Sequence, residues 1–245
     1  MSSEPLILAM ETATRAGSVC LALGNEILAS VAGDASASHS NDLIQNMQRV
    51  LKASGRELSA VDFFAAAEGP GSFTGLRIGL ATAKALATSM QKKCAGVSTL
   101  AAVAAAAGPS ERTVALLPAG RGEVFAQMFK VTNDHVEALD AATHIPLQAL
   151  VNRYGNFGTL RWAGEGAHLQ IELIRGAAAA HGNSFDASLS DLQVEGWGLA
   201  PEQSNLAGAV ARLARGEWQA GRLISPQDLR ANYLRASDAE LKDRA

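Results

Sequence analysis

Glycines at 69, 71 and 75, Pro70, and the hydroxyls of Ser72 and Thr74 open a run, GPGSFTGLRIG, that continues as a helix. Residues of these types can cradle a phosphate or turn a tight corner. A nucleoside-triphosphate loop of the form GxxxxGK[ST] needs a Lys and a Ser or Thr directly after its last glycine. Here Gly75 is followed by Leu76 and Arg77, so that chemistry is missing, although amides at a helix start can still hold an anion. As a corner every residue has a use: Pro70 fixes the entry, Gly69, Gly71 and Gly75 supply unusual dihedrals, and Ser72 or Thr74 caps the helix that carries Phe73 and Arg77. The corner fits better. Serine-hydrolase chemistry is unsupported, because GxSxG does not occur. His135, His144, His168 and His181 are scattered, and none stands at ligand spacing from another.

The composition narrows the classes. A chain of 245 residues that is 48% hydrophobic and 18% charged can bury a substantial core in one large or two modest domains. Its formal charge of −3 and pI of about 6.0 leave no nucleic-acid footprint over the whole chain. Any RNA contact is then local or borrowed from a partner. Cys20 and Cys94 sit in apolar surroundings and read as reduced core thiols. The N-terminus carries Glu4 where a signal peptide is basic, and no apolar run is long enough to span a membrane. The expectation is a cytoplasmic protein with no metal.

The elements that must position the corner follow from periodicity. LILAMETA, SVCLALG and EILASVA read as a three-strand antiparallel meander. In DLIQNMQRVLKASG, Leu43, Ile44, Met47, Val50 and Leu51 fall at helical spacing, with Ser40 or Asn41 as cap and Gly55 as stop. Val61 to Gly69 is a buried strand that feeds the corner, and a helix from about Thr74 to Met90 follows, then an Ala-rich helix over Thr99 to Ala107. That order resembles one half of the actin-like, ribonuclease-H-like architecture, an α/β fold with two lobes of mixed sheet and flanking helices. Gly108-Pro109-Ser110 marks a boundary, giving lobes 1–108 and 109–245, the second degenerate and its C-terminal segment packing back on the first. Beyond it, TVALLPA and GEVFAQMFKV form a hairpin, VEAL a short strand, and HIPLQALVNRYG a helix with proline in its first turn. TLRWAGEGA is a strand ending in a plain turn, and Ser204 caps NLAGAVARLARGEW. Residues 183–203 show no periodicity.

The second helix, LRIGLATAKALATSM, has only Arg77 and Lys84 as charges, and Gly75, Gly79, Ala83 and Ala87 recur every fourth residue. Such a helix is either buried on both sides within one domain or covered by a partner. Burying a leucine stabilises by roughly 1.5–3 kcal/mol, so leaving Leu76, Leu80 and Leu86 wet would be costly.

The chain resembles the TsaB (YeaZ-type) family of tRNA threonylcarbamoyladenosine biosynthesis proteins. The resemblance rests on ILAMETAT with SVCLAL, His39-Ser40 before an amphipathic helix, GPGSFTGLRIG with AKALA, VSTLAAVA, GEVF, and YLR near the end. It covers most of the chain. Two departures stand out: Pro118-Ala119-Gly120 where members often carry an Asp-Ala-Arg type sequence, and Ala231 where a proline often precedes Tyr-Leu-Arg.

The resemblance implies a non-catalytic scaffold that dimerises with a TsaD-type catalytic subunit, with a TsaE-type ATP-binding subunit as third component. The product would be N6-threonylcarbamoyladenosine next to the anticodon of tRNAs reading codons that start with A. The two early helices would pack on the partner's equivalents through Leu43, Met47, Leu51, Leu76, Leu80 and Lys84, and would pair as a homodimer when the chain is alone. No catalytic residue is expected, since the His-x-x-x-His metal pair of the catalytic relative is absent: His39 is followed four residues later by Leu43. In actin-like kinases and ATPases an acid after the first strand helps to hold nucleotide, which makes Glu11, Thr12 and Thr14 a vestigial nucleotide site. A second Asp-Gly turn is missing, and Gly164-Glu165-Gly166 is a weak substitute. No cofactor is assigned to this subunit, with ATP or ADP at a complex interface as the open option, and tRNA is met through the complex. The basic C-terminal segment, Arg212, Arg215, Arg222, Arg230 and Arg235, could touch tRNA, and reads first as a solvated face. The competing readings are a glycoprotease-like peptidase and a nucleotide-hydrolysing actin-like enzyme.

Overall fold

In the computed structural model, which describes residues 4–33, 39–187 and 195–234, two units divide the chain. The first unites residues up to Ala102 with Ser204–Tyr233; the second runs from Val103 to Gln203 and includes Leu234. The two meet in sequence inside an Ala-rich helix, six residues before Gly108.

The first unit is built on a five-stranded sheet of β1 (Leu6–Glu11), β2 (Ser18–Leu23), β3 (Glu26–Ala32), β4 (Phe63–Gly69) and β5 (Lys93–Ser98), in the order β3-β2-β1-β4-β5. β1 to β3 form the antiparallel meander that turn spacing predicts, whereas β1, β4 and β5 run parallel. Parallel neighbours need crossovers, supplied by α1 (His39–Ser54) and α2 (Phe73–Ser89). All six residues of β1 are buried, so both faces of the sheet are covered. α1 and α2 touch each other and pack on β2, β3, β4 and β5, while α7 (Ala207–Gln219), which returns 100 residues later, lies along β1, β2, β4 and β5. α3 (Thr99–Ala106) leaves the sheet directly from β5.

α1 begins at His39, and the side chains of Ser40 and Asn41, expected to cap it, lie outside the described residues. One local reading needs correction. Ser204 does not cap α7: the helix starts at Ala207, whose amide donates to Ser18 Oγ on β2 at 3.0 Å. The acceptor comes from 189 positions away, which no local pattern can reveal.

The second unit holds β6 (Ser110–Gly120), β7 (Glu123–Val131), β8 (Val136–Ala138), β9 (Thr143–Pro146), α4 (Leu147–Tyr154), β10 (Thr159–Ala163), α5 (Glu165–Leu169), α6 (Ile171–Ala180), β11 (Phe185–Asp186) and β12 (Gly196–Leu199). Its sheet runs β11-β12-β10-β6-β7-β8, with β9 also on β7. Trp162 and Trp197, both fully buried with ring centroids 5.1 Å apart, anchor a core shared with Leu116, Leu160 and Tyr154. Gly164 starts α5 rather than making a plain turn, and Pro146 precedes α4 as its flanking residue rather than sitting in the first turn. The described residues of the stretch without periodicity hold two short strands, β11 and β12, too short to show an alternation.

Arg161 on β10 is almost fully buried, yet no carboxylate meets it among the described residues. Its guanidinium instead donates to the carbonyls of Ala107, Gly108 and Pro109 at 2.9, 3.3 and 2.9 Å. These carbonyls lie just past the C-terminus of α3, the negative end of its dipole, so the backbone supplies the counter-charge.

Candidate functional site

The glycine string is a corner held from three sides. Ser72 donates its amide to Ala13 O at 2.8 Å, and its hydroxyl accepts from Gly75 N at 3.2 Å, capping α2 as its sequence position predicts. Thr12 Oγ1 donates to Gly75 O at 2.7 Å, and a Cβ on Gly79 would overlap that hydroxyl, so α2 lies close against the end of β1. The third hold is a C-terminal strap, residues 224–233. Ile224 exchanges both backbone bonds with Cys94 on β5, Leu229 is buried beside Gly96, and Asn232 donates its amide to Glu68 O at 2.7 Å. Gly69 has φ of +119°, and a Cβ there would stand 2.6 Å from Asn232 O. Only glycine fits where the strap crosses. Beyond the crossing, Tyr233 packs on Phe73 as a tilted pair with centroids 5.1 Å apart, and the Arg77 guanidinium lies 3.8 Å from the Phe73 centroid.

Glu11, Thr12 and Thr14 come together, but around one another. Glu11 is fully buried, and its carboxylate accepts from Thr14 N at 2.7 Å and from Thr14 Oγ1 at 2.6 Å. This closes the β1–β2 turn and leaves Thr12 to hold α2. Glu68, at the end of β4, is the other carboxylate at this edge. Burial first, and the Glu217 charge second, hold it above the ordinary carboxylate value. Burial likewise pushes the Cys20 and Cys94 thiols up to about 11, which fits inert core thiols.

The expected partner-facing side chains separate into inner and outer sets. Leu43, Met47, Leu76 and Leu80 are at most 5% exposed and belong to the first unit's core, where α1 and α2 cover the sheet. They are internal packing, a correction to their reading as a surface. Leu51 and Lys84 are half-buried. Outward, α1 and α2 show Ile44, 48% exposed, with exposed Ala81 and Ala85 and half-buried Ile78, alongside exposed Gln45, Gln48, Arg49, Lys52 and Arg77. Periodicity found the helices but assigned their apolar stripe to a partner when their own sheet takes it.

Other candidate groups are spoken for. His144 pairs with Glu123 at 2.9 Å, and a ring nitrogen of His168 lies 2.9 Å from Ala200 O. His181 stacks on Trp197, and His135 is exposed in a turn. The His39 side chain lies outside the described residues. No group of three or more His, Cys, Asp or Glu that could hold a metal occurs among the described residues. Of the C-terminal arginines, Arg215 pairs with Glu4 and Arg222 with Glu217, Arg230 is exposed, and Arg235 lies outside the described residues. Pro118-Ala119-Gly120 falls at the β6–β7 turn, and Ala231 is half-buried in the strap. No helix among the described residues is long and apolar enough to cross a membrane.

A meander continued by parallel strands with flanking helices in the first unit, and a mixed sheet with flanking helices in the second, define an actin-like, ribonuclease-H-like α/β protein. Two solved structures share this fold over 96% of the chain and 100% of their own length. One is YeaZ from Pseudomonas aeruginosa, with a TM-score of 0.72 at 23% identity; the other is an uncharacterized protein with similarity to peptidase YeaZ from Pseudomonas aeruginosa, with a TM-score of 0.77 at 25%. The family model described as TsaD: tRNA N6-adenosine threonylcarbamoyltransferase matches residues 30–195, and the chain belongs to that family. Within it the likeness is to the TsaB/YeaZ type. The tRNA threonylcarbamoyladenosine biosynthesis protein TsaB of Escherichia coli (strain K12) is 37% identical over 123 residues, 49% of this chain and 52% of the relative. That of Haemophilus influenzae (strain ATCC 51907 / DSM 11121 / KW20 / Rd) is 34% identical over 122 residues, 49% and 51%. The chain thus spans about half the length of the curated relatives it matches.

Proposed function

We propose that this chain serves tRNA threonylcarbamoyladenosine biosynthesis as a non-catalytic subunit that docks a TsaD-type catalytic subunit through the outer face of α1 and α2. The observation that carries this reading is on the outer side of two adjacent helices: exposed Ile44 on α1, and Ile78, Ala81 and Ala85 within about 60° of one another on α2, are apolar and uncharged. Small side chains let a second helix pair approach closely, and the absence of charge at these positions removes the desolvation cost of covering them. The catalytic subunit is the fitting occupant because it shares the family, and hence an equivalent helix pair. A non-catalytic role is supported by the sequence, where Leu43 stands in place of a second metal-ligating histidine, and by Glu11, whose oxygens are engaged in the β1–β2 turn. A TsaE-type ATP-binding subunit completes the assembly, with ATP or ADP at its interface, in the cytoplasm. Without the partner the same face pairs two copies of this chain.

Ala81→Arg tests the docking. The site is exposed, so the thermal midpoint should stay within about 1 °C, whereas affinity for the catalytic subunit should fall at least tenfold, read by titration calorimetry. Threonylcarbamoyl transfer to tRNA should require both subunits. Transfer by this chain alone, or unchanged affinity of the variant, would overturn the proposal.

A further inference from the structure

The other flank of α2 carries a different chemistry. Phe73, Arg77, Lys84 and Thr88 are offset by 4, 11 and 15 positions, which at about 100° per residue places them within roughly 60° of one another. That flank faces the C-terminal strap. Lys84, Thr88 and Lys92 line one side of an open groove of about 580 Å³, whose other side is Ser225, Pro226 and Gln227. At the far end of the helix, about 22 Å away by its rise, the flank ends in the Arg77–Phe73–Tyr233 cluster, with Tyr233 44% exposed.

Three features make this flank attractive to an anion. Arg77, Lys84 and Lys92 form no ion pair among the described residues, unlike Arg215 and Arg222. No acid occurs between Gly69 and Gly108, and the strap's Asp228 is offset by Arg230. The C-terminal carbonyls of α2, which would repel an anion, are already covered: Leu86 O, Ala87 O and Thr88 O accept from Met90, Lys92 and Gln91 amides at 3.0, 2.8 and 3.2 Å. A chain of net charge −3 thus spaces unpaired cations along a flank that ends at an exposed aromatic ring. Cations at intervals along a track, ended by an aromatic face, are what a phosphodiester backbone with an unstacked base requires.

We propose that the groove between α2 and the C-terminal strap contacts RNA directly, with Lys84 and Lys92 on backbone phosphates and Tyr233 offering its open face to a base. The tRNA identity of that RNA rests on the proposed function; the contact itself does not. An acidic segment of a protein is the alternative occupant, disfavoured because it makes no use of the aromatic end.

The test is binding of an unmodified tRNA transcript to the full-length chain, alone and mixed with the catalytic subunit, across a salt series. Lys84→Gln/Lys92→Gln should weaken binding at least tenfold and flatten the plot of log K against log salt by roughly 1.4–1.8, two phosphate contacts at about 0.7–0.9 each. Tyr233→Leu should weaken binding without changing the slope, and Arg222→Gln should change neither. Unaltered affinity and slope in the double variant would overturn the inference, as would tRNA binding no tighter than that of poly-glutamate. Failure of the docking proposal looks different: the wild-type chain would hold tRNA and never the catalytic subunit, whereas failure here leaves the wild-type chain docking the catalytic subunit without holding tRNA through this flank.

Discussion

Glu68 shows how one residue's setting turns into a measurable property. It lies near the end of β4 between Gly96 and the strap, and burial raises its pKa above the 4.5 of an ordinary glutamate. Between 4.5 and the raised value the native chain binds more protons than the unfolded one, so stability falls as pH rises through that window. Glu68→Gln removes the penalty: its thermal midpoint at pH 7 should exceed that of the wild type, by about 2–4 °C for each kcal/mol relieved, and the difference should vanish near pH 4. Thermal melts from pH 4 to 8 check this, and a variant less stable than wild type at pH 7 would refute it. The acid was legible in the sequence as part of a strand end; its burial was not, because the covering strap comes from more than 150 positions away. Ser18 as acceptor for α7 and the carbonyls that hold Arg161 were hidden for the same reason.

At the scale of elements, the corner and the strap are one device. The sequence alone gives GPGSFTG as a bend that starts a capped helix, and Ser72 caps it. What it leaves open is why Gly69 must be glycine. The strap answers this, since Asn232 O occupies the space of a Cβ and φ is +119°. Gly69→Ala should therefore cost about 2 kcal/mol or more, from the left-handed backbone and the displaced strap together. Denaturant titration measures the loss, and a fall in Tyr233–Phe73 packing should appear with it as altered tyrosine fluorescence. A cost under 0.5 kcal/mol would mean that the strap yields freely. The helix stripe Leu43, Met47, Leu76 and Leu80 was equally plain as a pattern, but amphipathic spacing states only that a face is covered. Whether a sheet of the same chain or a second polypeptide covers it is a matter of tertiary packing.

For the whole molecule, the first unit is discontinuous, closed by α7 and the strap from the far end of the chain. A chain ending at Gln203 would leave the α7 side of the sheet bare, exposing every second residue of β1, a strand that is now buried throughout. In hydrogen exchange the β1 amides of that truncation should lose most of their protection; if they keep it, α7 is dispensable to the unit. The strands of the meander, the crossover helices and the capped corner are legible in the chain because each is written in neighbouring residues, and the family likeness because its motifs are short and local. Only the tertiary structure decided which helix faces stay outward, why Gly69 cannot carry a side chain, and which cations are left unpaired. Those outcomes depend on segments far apart in the chain coming into contact, and local periodicity carries no record of such meetings.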